Sequence, residues 1–203
     1  MCGKTIIEQL TAKKHGFKHV QAVGDAILAK GNSQALSVAE ELSENEIYQA
    51  RMCATHIYGK LSIESKVAYS RLLEKIVCDE NWRVQEMLAK AFDQYCADIG
   101  SRDSLSTIYV WLTAKNPNQR RAASEGLRIW TSRPYFKDYP EVAIELLANF
   151  KADESKYVRT SVGNALRDIS KKYPKLIAVE TSSWEIANRD VQQTYNLATK
   201  FIK

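Results

Sequence analysis

The sequence predicts an all-α protein, an α-solenoid of antiparallel helix pairs with a concave binding face. Three observations carry that reading. The 203 residues include only 8 Gly and 4 Pro, too few turn formers for a β-sandwich or a doubly wound α/β sheet. Apolar residues recur at helical spacing along most of the chain. The pattern also repeats: an Asn or Asp, a short polar turn and then a helix begin at Asn45, Asp79, Asn116, Asp153 and Asn188. The intervals are about 34 to 37 residues, the length of one two-helix repeat.

Each repeat element follows from its residues. An Asx side chain ahead of an apolar-periodic run can accept a bond from an orphan helical N–H, so these five positions read as helix starts. Val84, Met87, Leu88, Ala91 and Tyr95 share one helical face, as do Ala122, Ala123, Gly126, Leu127 and Trp130. Val158, Ser161, Val162, Ala165, Leu166 and Ile169 form the third such face. The small residue common to the three (Ala91, Gly126, Ala165) lets neighbouring helices approach closely. A second set of helices falls between them, at roughly 33–42, 63–78, 104–114, 141–150 and 175–184. Such helix pairs have the form of HEAT-like repeats, stacked here in a single domain over residues 1–203.

Composition narrows the class further. With 45% hydrophobic and 26% charged residues the chain is neither disordered nor membrane-embedded. No stretch approaches the ~18 apolar residues of a membrane span, and the first residues lack the apolar core of a secretion signal. A cytoplasmic protein is expected. Cys2, Cys53, Cys78 and Cys96 have no metal-like spacing and read as buried, reduced thiols. His15 and His19 have no third ligand near them, so they belong to a basic surface helix, and His56 is a packed histidine. No metal and no organic cofactor are expected. The net charge of +5 permits a polyanionic partner without requiring one.

The inner helices also carry a polar stripe: Glu86, Lys90 and Asp93 on the first, Arg121, Glu125 and Arg128 on the second, and Thr160, Asn164 and Arg167 on the third, with Asp168 beside them. Spacings of i, i+4 and i+7 put each set on one side of its helix. Stacked in register, the sets would form a ladder of alternating carboxylates and guanidinium groups, with Trp82, Trp111, Trp130, Tyr135 and Phe136 flanking it. A solvated face of i, i+4 pairs is the plainer account of such a stripe.

Two segments make the reading more specific. PNQRRAASEGLRIW resembles the R-R-x-A-S-E-G signature of the HEAT-like-repeat alkylpurine DNA glycosylases, in their AlkC branch. YVRTSVGNALRDISKKYPKLI is similar to the next repeat of the same proteins. The resemblance covers the chain from about Ser65 onward. It implies that Arg121 contacts the DNA backbone beside a lesion. It also implies that Glu125 and Asp168 are acidic groups of the active-site cleft. Trp82 and Glu86 are similar to the Trp-x-x-x-Asp pair of the AlkD branch, and Asn164 stands where that branch has an aromatic.

The implied activity is hydrolysis of the N-glycosidic bond of N3- or N7-alkylated purines. The base already carries a positive charge and leaves neutral, so a carboxylate beside the oxocarbenium-like sugar suffices. Glu125, Asp168 and Glu86 are the catalytic candidates, and Trp82 and Trp130 the aromatic walls. Double-stranded DNA, alkylated or not, is the expected partner. Arg120, Arg121, Arg128, Arg159, Arg167, Lys171, Lys172 and Asn164 would bind it, with Lys115, Arg133 and Lys156 beside them. A monomer is expected. Two other readings stand beside this one: a non-catalytic binder of distorted or branched DNA, and a protein-interaction scaffold.

Overall fold

The computed structural model describes residues 3–14 and 16–202, excluding the side chains at 3–5, 127, 129 and 130. Cys2, His15 and the Trp130 side chain therefore lie outside the described residues. Among those described, every regular element is helical, as the glycine and proline counts and the repeat predict. The chain divides into two compact units, Met1–Asp98 and Ile99–Lys203.

The first unit contains α1 (Gly3–Thr11), α2 (Phe17–Leu28), α3 (Asn32–Ser43), α4 (Tyr48–Leu61), α5 (Lys66–Glu74), a 3₁₀ turn (Ile76–Cys78) and α6 (Trp82–Ile99). The helix expected over 63–78 is thus shorter and ends in the tighter turn. α4 is buried nearly all round, with Met52, Cys53, Ile57 and Tyr58 in the core, so no stripe pattern marked it in the sequence. It packs against α2, α3 and α5. At Gly59 an added Cβ would stand 2.6 Å from the Cβ of Ala91. The small-residue rule therefore operates between α4 and α6, with glycine on one side and alanine on the other.

The second unit contains α7 (Leu105–Leu112), α8 (Pro117–Trp130), α9 (Pro134–Asp138), α10 (Pro140–Ala148), α11 (Lys156–Ser170), α12 (Pro174–Ser182) and α13 (Arg189–Ala198). α8, α11 and α13 form one layer; α7, α10 and α12 pack behind them. All 4 prolines of the chain open helices, at Pro117, Pro134, Pro140 and Pro174, where a missing N–H costs nothing. Trp111 is fully buried. It is a core residue of α7, and the flanking role expected of it is excluded by that burial.

The five Asx residues act as the repeat pattern requires, with one refinement. Asn188 caps α13 directly, its side chain accepting from the N–H of Asp190 and Val191. Asn45, Asp79, Asn116 and Asp153 instead accept from the N–H two residues on, forming Asx turns that lead into the helix. One residue per repeat then ties the turn down. Arg51 donates to the carbonyl of Asn45, Gln85 to that of Asp79, Arg120 to that of Ala114 and Arg159 to that of Asp153. In each case donor and acceptor are six residues apart.

Candidate functional site

In the second unit, α8 and α11 bring five of the expected residues together. Glu125 is held from both sides. Its Oε1 accepts from the Ser161 hydroxyl at 2.9 Å and lies 3.8 Å from the Arg121 guanidinium. Its Oε2 is 3.0 Å from Arg128. Ser124 donates to Ser161 at 2.7 Å, and both hydroxyls are buried, so a buried relay orients the carboxylate. Small residues at 124 and 161 make this possible, because they sit where α8 and α11 touch.

Arg128 continues the chain of contacts. It reaches Asp168 at 3.5 Å as well as Glu125, and so bridges the two carboxylates. Asp168 also accepts from Lys171 at 2.8 Å and lies 3.5 Å from Arg167. Burial pushes the Asp168 carboxyl up, but the Lys171 hydrogen bond and the charges of Arg167, Lys171 and Arg128 outweigh it and hold the group below the ordinary carboxylate range. Asp168 is 24% exposed and Glu125 13%, so Asp168 is the more accessible of the two. Arg121, Arg128, Arg167 and Lys171 face these two carboxylates, and the cluster is therefore net positive. Arg167 Nε is buried without a hydrogen-bond partner among the described residues.

Arg121 makes a second contact, and the remaining expected residues lie beside the cluster or away from it. Arg121 is buried and stacks on Tyr157, 4.9 Å from the ring centre. Asn164 is half-buried, one turn before Asp168 on α11. Lys172 is exposed. Arg120 and Arg159 are not exposed basic residues. Arg120 is 7% exposed, bonds Asp153 at 2.7 and 2.9 Å and takes two loop carbonyls besides. Arg159 pairs with Asp190 at 3.0 Å and donates to the carbonyls of Asp153 and Glu154. With their donors turned inward, both act as clasps between successive repeats instead of contacts for a phosphate. Arg51 and Asp79, 2.5 Å apart, form the same clasp in the first unit.

Sequence reasoning missed these clasps because a buried arginine looks like a surface one in a sequence. The signal that marks them is the six-residue spacing of a long donor after each turn. Ser124 and Ser161, the relay behind Glu125, were missed for a similar reason: each lies on the apolar face of its helix.

Trp82 and Glu86 belong to α6 in the first unit. Trp82 is 53% exposed, and the Arg83 guanidinium covers its ring at 4.4 Å. Arg83 also lies 5.3 Å from the Tyr48 ring, and Phe17 stands 6.4 Å from Trp82. The exposed tryptophan is thus already stacked by a cation of its own chain. Glu86 is half-buried. Burial raises the Cys53 thiol to about 12, helped by the Asp25 charge, and Cys96 is also buried. Cys78 is exposed, against the expectation that all four thiols are buried, because it closes the 3₁₀ turn after α5. Among the described residues no group of three His, Cys, Asp or Glu could hold a metal ion, and no helix is long and apolar enough to cross a membrane.

An all-α array of helix pairs with an acidic and basic cluster on one layer defines a class, and comparison with known proteins names it. Residues 18–179 match the family of DNA alkylation repair enzymes, and the chain belongs to that family. It is similar in structure to AlkD2 from Streptococcus mutans, with 42% identity and a TM-score of 0.94 over 99% of this chain and 97% of that one. The smu.31 protein from Streptococcus mutans UA159 is also similar, with 40% identity and a TM-score of 0.91 over 99% of each chain. The uncharacterized protein YhaZ of Bacillus subtilis (strain 168) is 32% identical over 117 residues, 51% of this chain but 33% of its own length. The chain thus spans about a third of that curated relative.

Proposed function

We propose that the protein binds double-stranded DNA and hydrolyses the N-glycosidic bond of N3- or N7-alkylated purines, with Asp168 as the catalytic carboxylate. The observation that carries this reading is the Glu125–Arg128–Asp168 bridge within a net positive cluster. Free of DNA, the bridge holds both carboxylates in place. A phosphate group draws on Arg128, Lys171 and the unsatisfied N–H of Arg167, since charge-assisted bonds to phosphate compete well with those to carboxylate. Asp168 is then free to face the sugar, where positive charge develops as the C1′–N bond lengthens. The bonding electrons leave with the base, which departs neutral and needs no acid. Water adds to C1′ and its proton passes to the carboxylate or to solvent. Glu125, tied to Ser161, positions Arg128.

The test is release of 7-methylguanine from duplex DNA by the wild type and by Asp168→Asn. Release above the spontaneous rate, lost in Asp168→Asn while DNA binding persists, supports the reading. Bound DNA with no release overturns the enzymatic part.

A second reading, a non-catalytic DNA binder, is favoured by two specific observations. Each candidate carboxylate of the second unit sits in several ion pairs, and one face of the Trp82 ring is stacked by Arg83. It predicts salt-dependent affinity, no release, and tighter binding in Asp168→Asn, because one carboxylate fewer opposes the phosphates.

A further inference from the structure

The first unit contains a small polar pocket between α2, α4 and α6. It is lined by Gln21, His56, Lys60, Lys90 and Gln94 over a floor of Gly59, Met87 and Ala91. The floor is built. Gly59 lets α4 press on Ala91, since a Cβ there would meet Ala91 at 2.6 Å. Gly24 opens α2 to the His56 ring, which would stand 2.7 Å from a Cβ at that position. His56 is nine-tenths buried, and its Nε2 is held by Asp25 at 2.7 Å.

The electrostatics of the pocket are one-sided. Asp25 is occupied by His56. Lys60 bonds a neutral amide oxygen, Oε1 of Gln94, at 2.9 Å. Gln94 turns its amide nitrogen away to Asp98 at 2.6 Å. Lys90 is exposed and has no ion pair among the described residues. Lys60 and Lys90 line the cavity with donors to spare and no carboxylate lines it, Glu86 and Asp93 lying one turn to either side of Lys90 on α6. The cavity's volume of about 70 Å³ has room for one small tetrahedral oxyanion.

Register supports the same conclusion. Lys90, Glu125 and Asn164 each directly precede the small residue shared by the three inner helices, Ala91, Gly126 and Ala165. The position that carries a fixed carboxylate on α8 carries a lysine on α6. Lys60 extends the cationic set by one further helix.

We infer that this pocket is a phosphate site, and that a backbone phosphate of the bound DNA occupies it. The inference deepens the DNA-binding reading and rests on it for the source of the phosphate. Lys60 and Lys90 supply the charge, and His56 sets the depth.

The experiment pairs Lys60→Gln with Lys90→Gln in the full chain and follows labelled duplex DNA by anisotropy across a salt series. Circular dichroism verifies the fold. The double variant is expected to bind roughly tenfold more weakly, with a log–log salt slope reduced by about one, the signature of one lost phosphate contact. A duplex with single methylphosphonates, scanned along the strand, is expected to show one position that weakens the wild type but not the double variant. An unchanged slope overturns the inference. If the wild type binds no DNA, a titration with inorganic phosphate decides. Shifts of the Gly59 and Ala91 amides, absent in the double variant, keep the pocket and remove only its DNA source. No shifts overturn the inference together with the DNA reading.

Discussion

The two units use equivalent helix positions for opposite chemistry. On α6 the position before the shared small residue is Lys90, with Lys60 and His56 lining the same pocket on α4. On α8 that position is Glu125, locked by Ser161 and Arg128, and Asp168 follows on α11. A repeat architecture makes such divergence inexpensive. Each repeat is held by its own apolar face and clasp, so the polar stripe can change sign without disturbing the packing. The clasps differ too. Arg120 and Asp153 are 7% and 5% exposed, whereas Arg51 is 22% exposed.

That last contrast gives the largest expected effect. Arg120→Ala leaves the buried Asp153 carboxylate without its cation and the carbonyls of Ala114 and Lys115 without this donor, which costs about 3–5 kcal/mol. Arg51→Ala, at the wetter clasp, costs on the order of 1–2 kcal/mol. Urea unfolding of the two variants measures the difference; equal losses would show that the clasps are equivalent. Next comes the chemistry of the second unit. Under the proposed function, Asp168→Asn is expected to lower the rate of base release by roughly 100-fold or more, and the paired lysine substitutions in the first unit are expected to change affinity and leave single-turnover release at saturation unchanged. A rate loss of similar size in the lysine variants would break the division of labour.

A packing test follows. Gly59→Ala forces α4 off α6 and destabilises by about 1–3 kcal/mol, and the DNA salt slope falls with it as the phosphate pocket deforms. A thermal melt and an anisotropy series report the two effects; a stable variant with an intact slope would show that the close approach does not shape the pocket.

The smallest effect concerns pH. Asp168 titrates below an ordinary carboxylate in the folded state, so its ion pairs contribute stability that is present above the unfolded-state carboxylate pKa of about 3.9 and is lost as pH falls through the lower folded value. The stability difference between wild type and Asp168→Asn should be constant near neutrality, under about 1 kcal/mol, and shrink in acid. A difference that instead grows in acid reverses the assigned sign.

Much of this was legible beforehand. Helix positions followed from apolar spacing, repeat starts from the Asx residues, and the Arg121–Glu125–Arg128 set from i, i+3 and i+4 proximity, because these depend on neighbours along one helix. Arg120 and Arg159 were misjudged because whether a guanidinium is buried depends on residues about thirty positions away, at Asp153 and Asp190. Trp111 was misjudged similarly: an aromatic on a short helix faces core or solvent according to the layer packed behind it.

By itself the sequence determined the all-α class, the repeat and the pairing of charges within each helix, since all three arise from local periodicity and short-range geometry. Only the tertiary structure decided which charges remain available. The Asp168–Arg128–Glu125 bridge, the Ser124–Ser161 relay and the cationic pocket over Gly59 and Ala91 each need two or three helices at contact distance. No pattern along a single helix encodes that proximity.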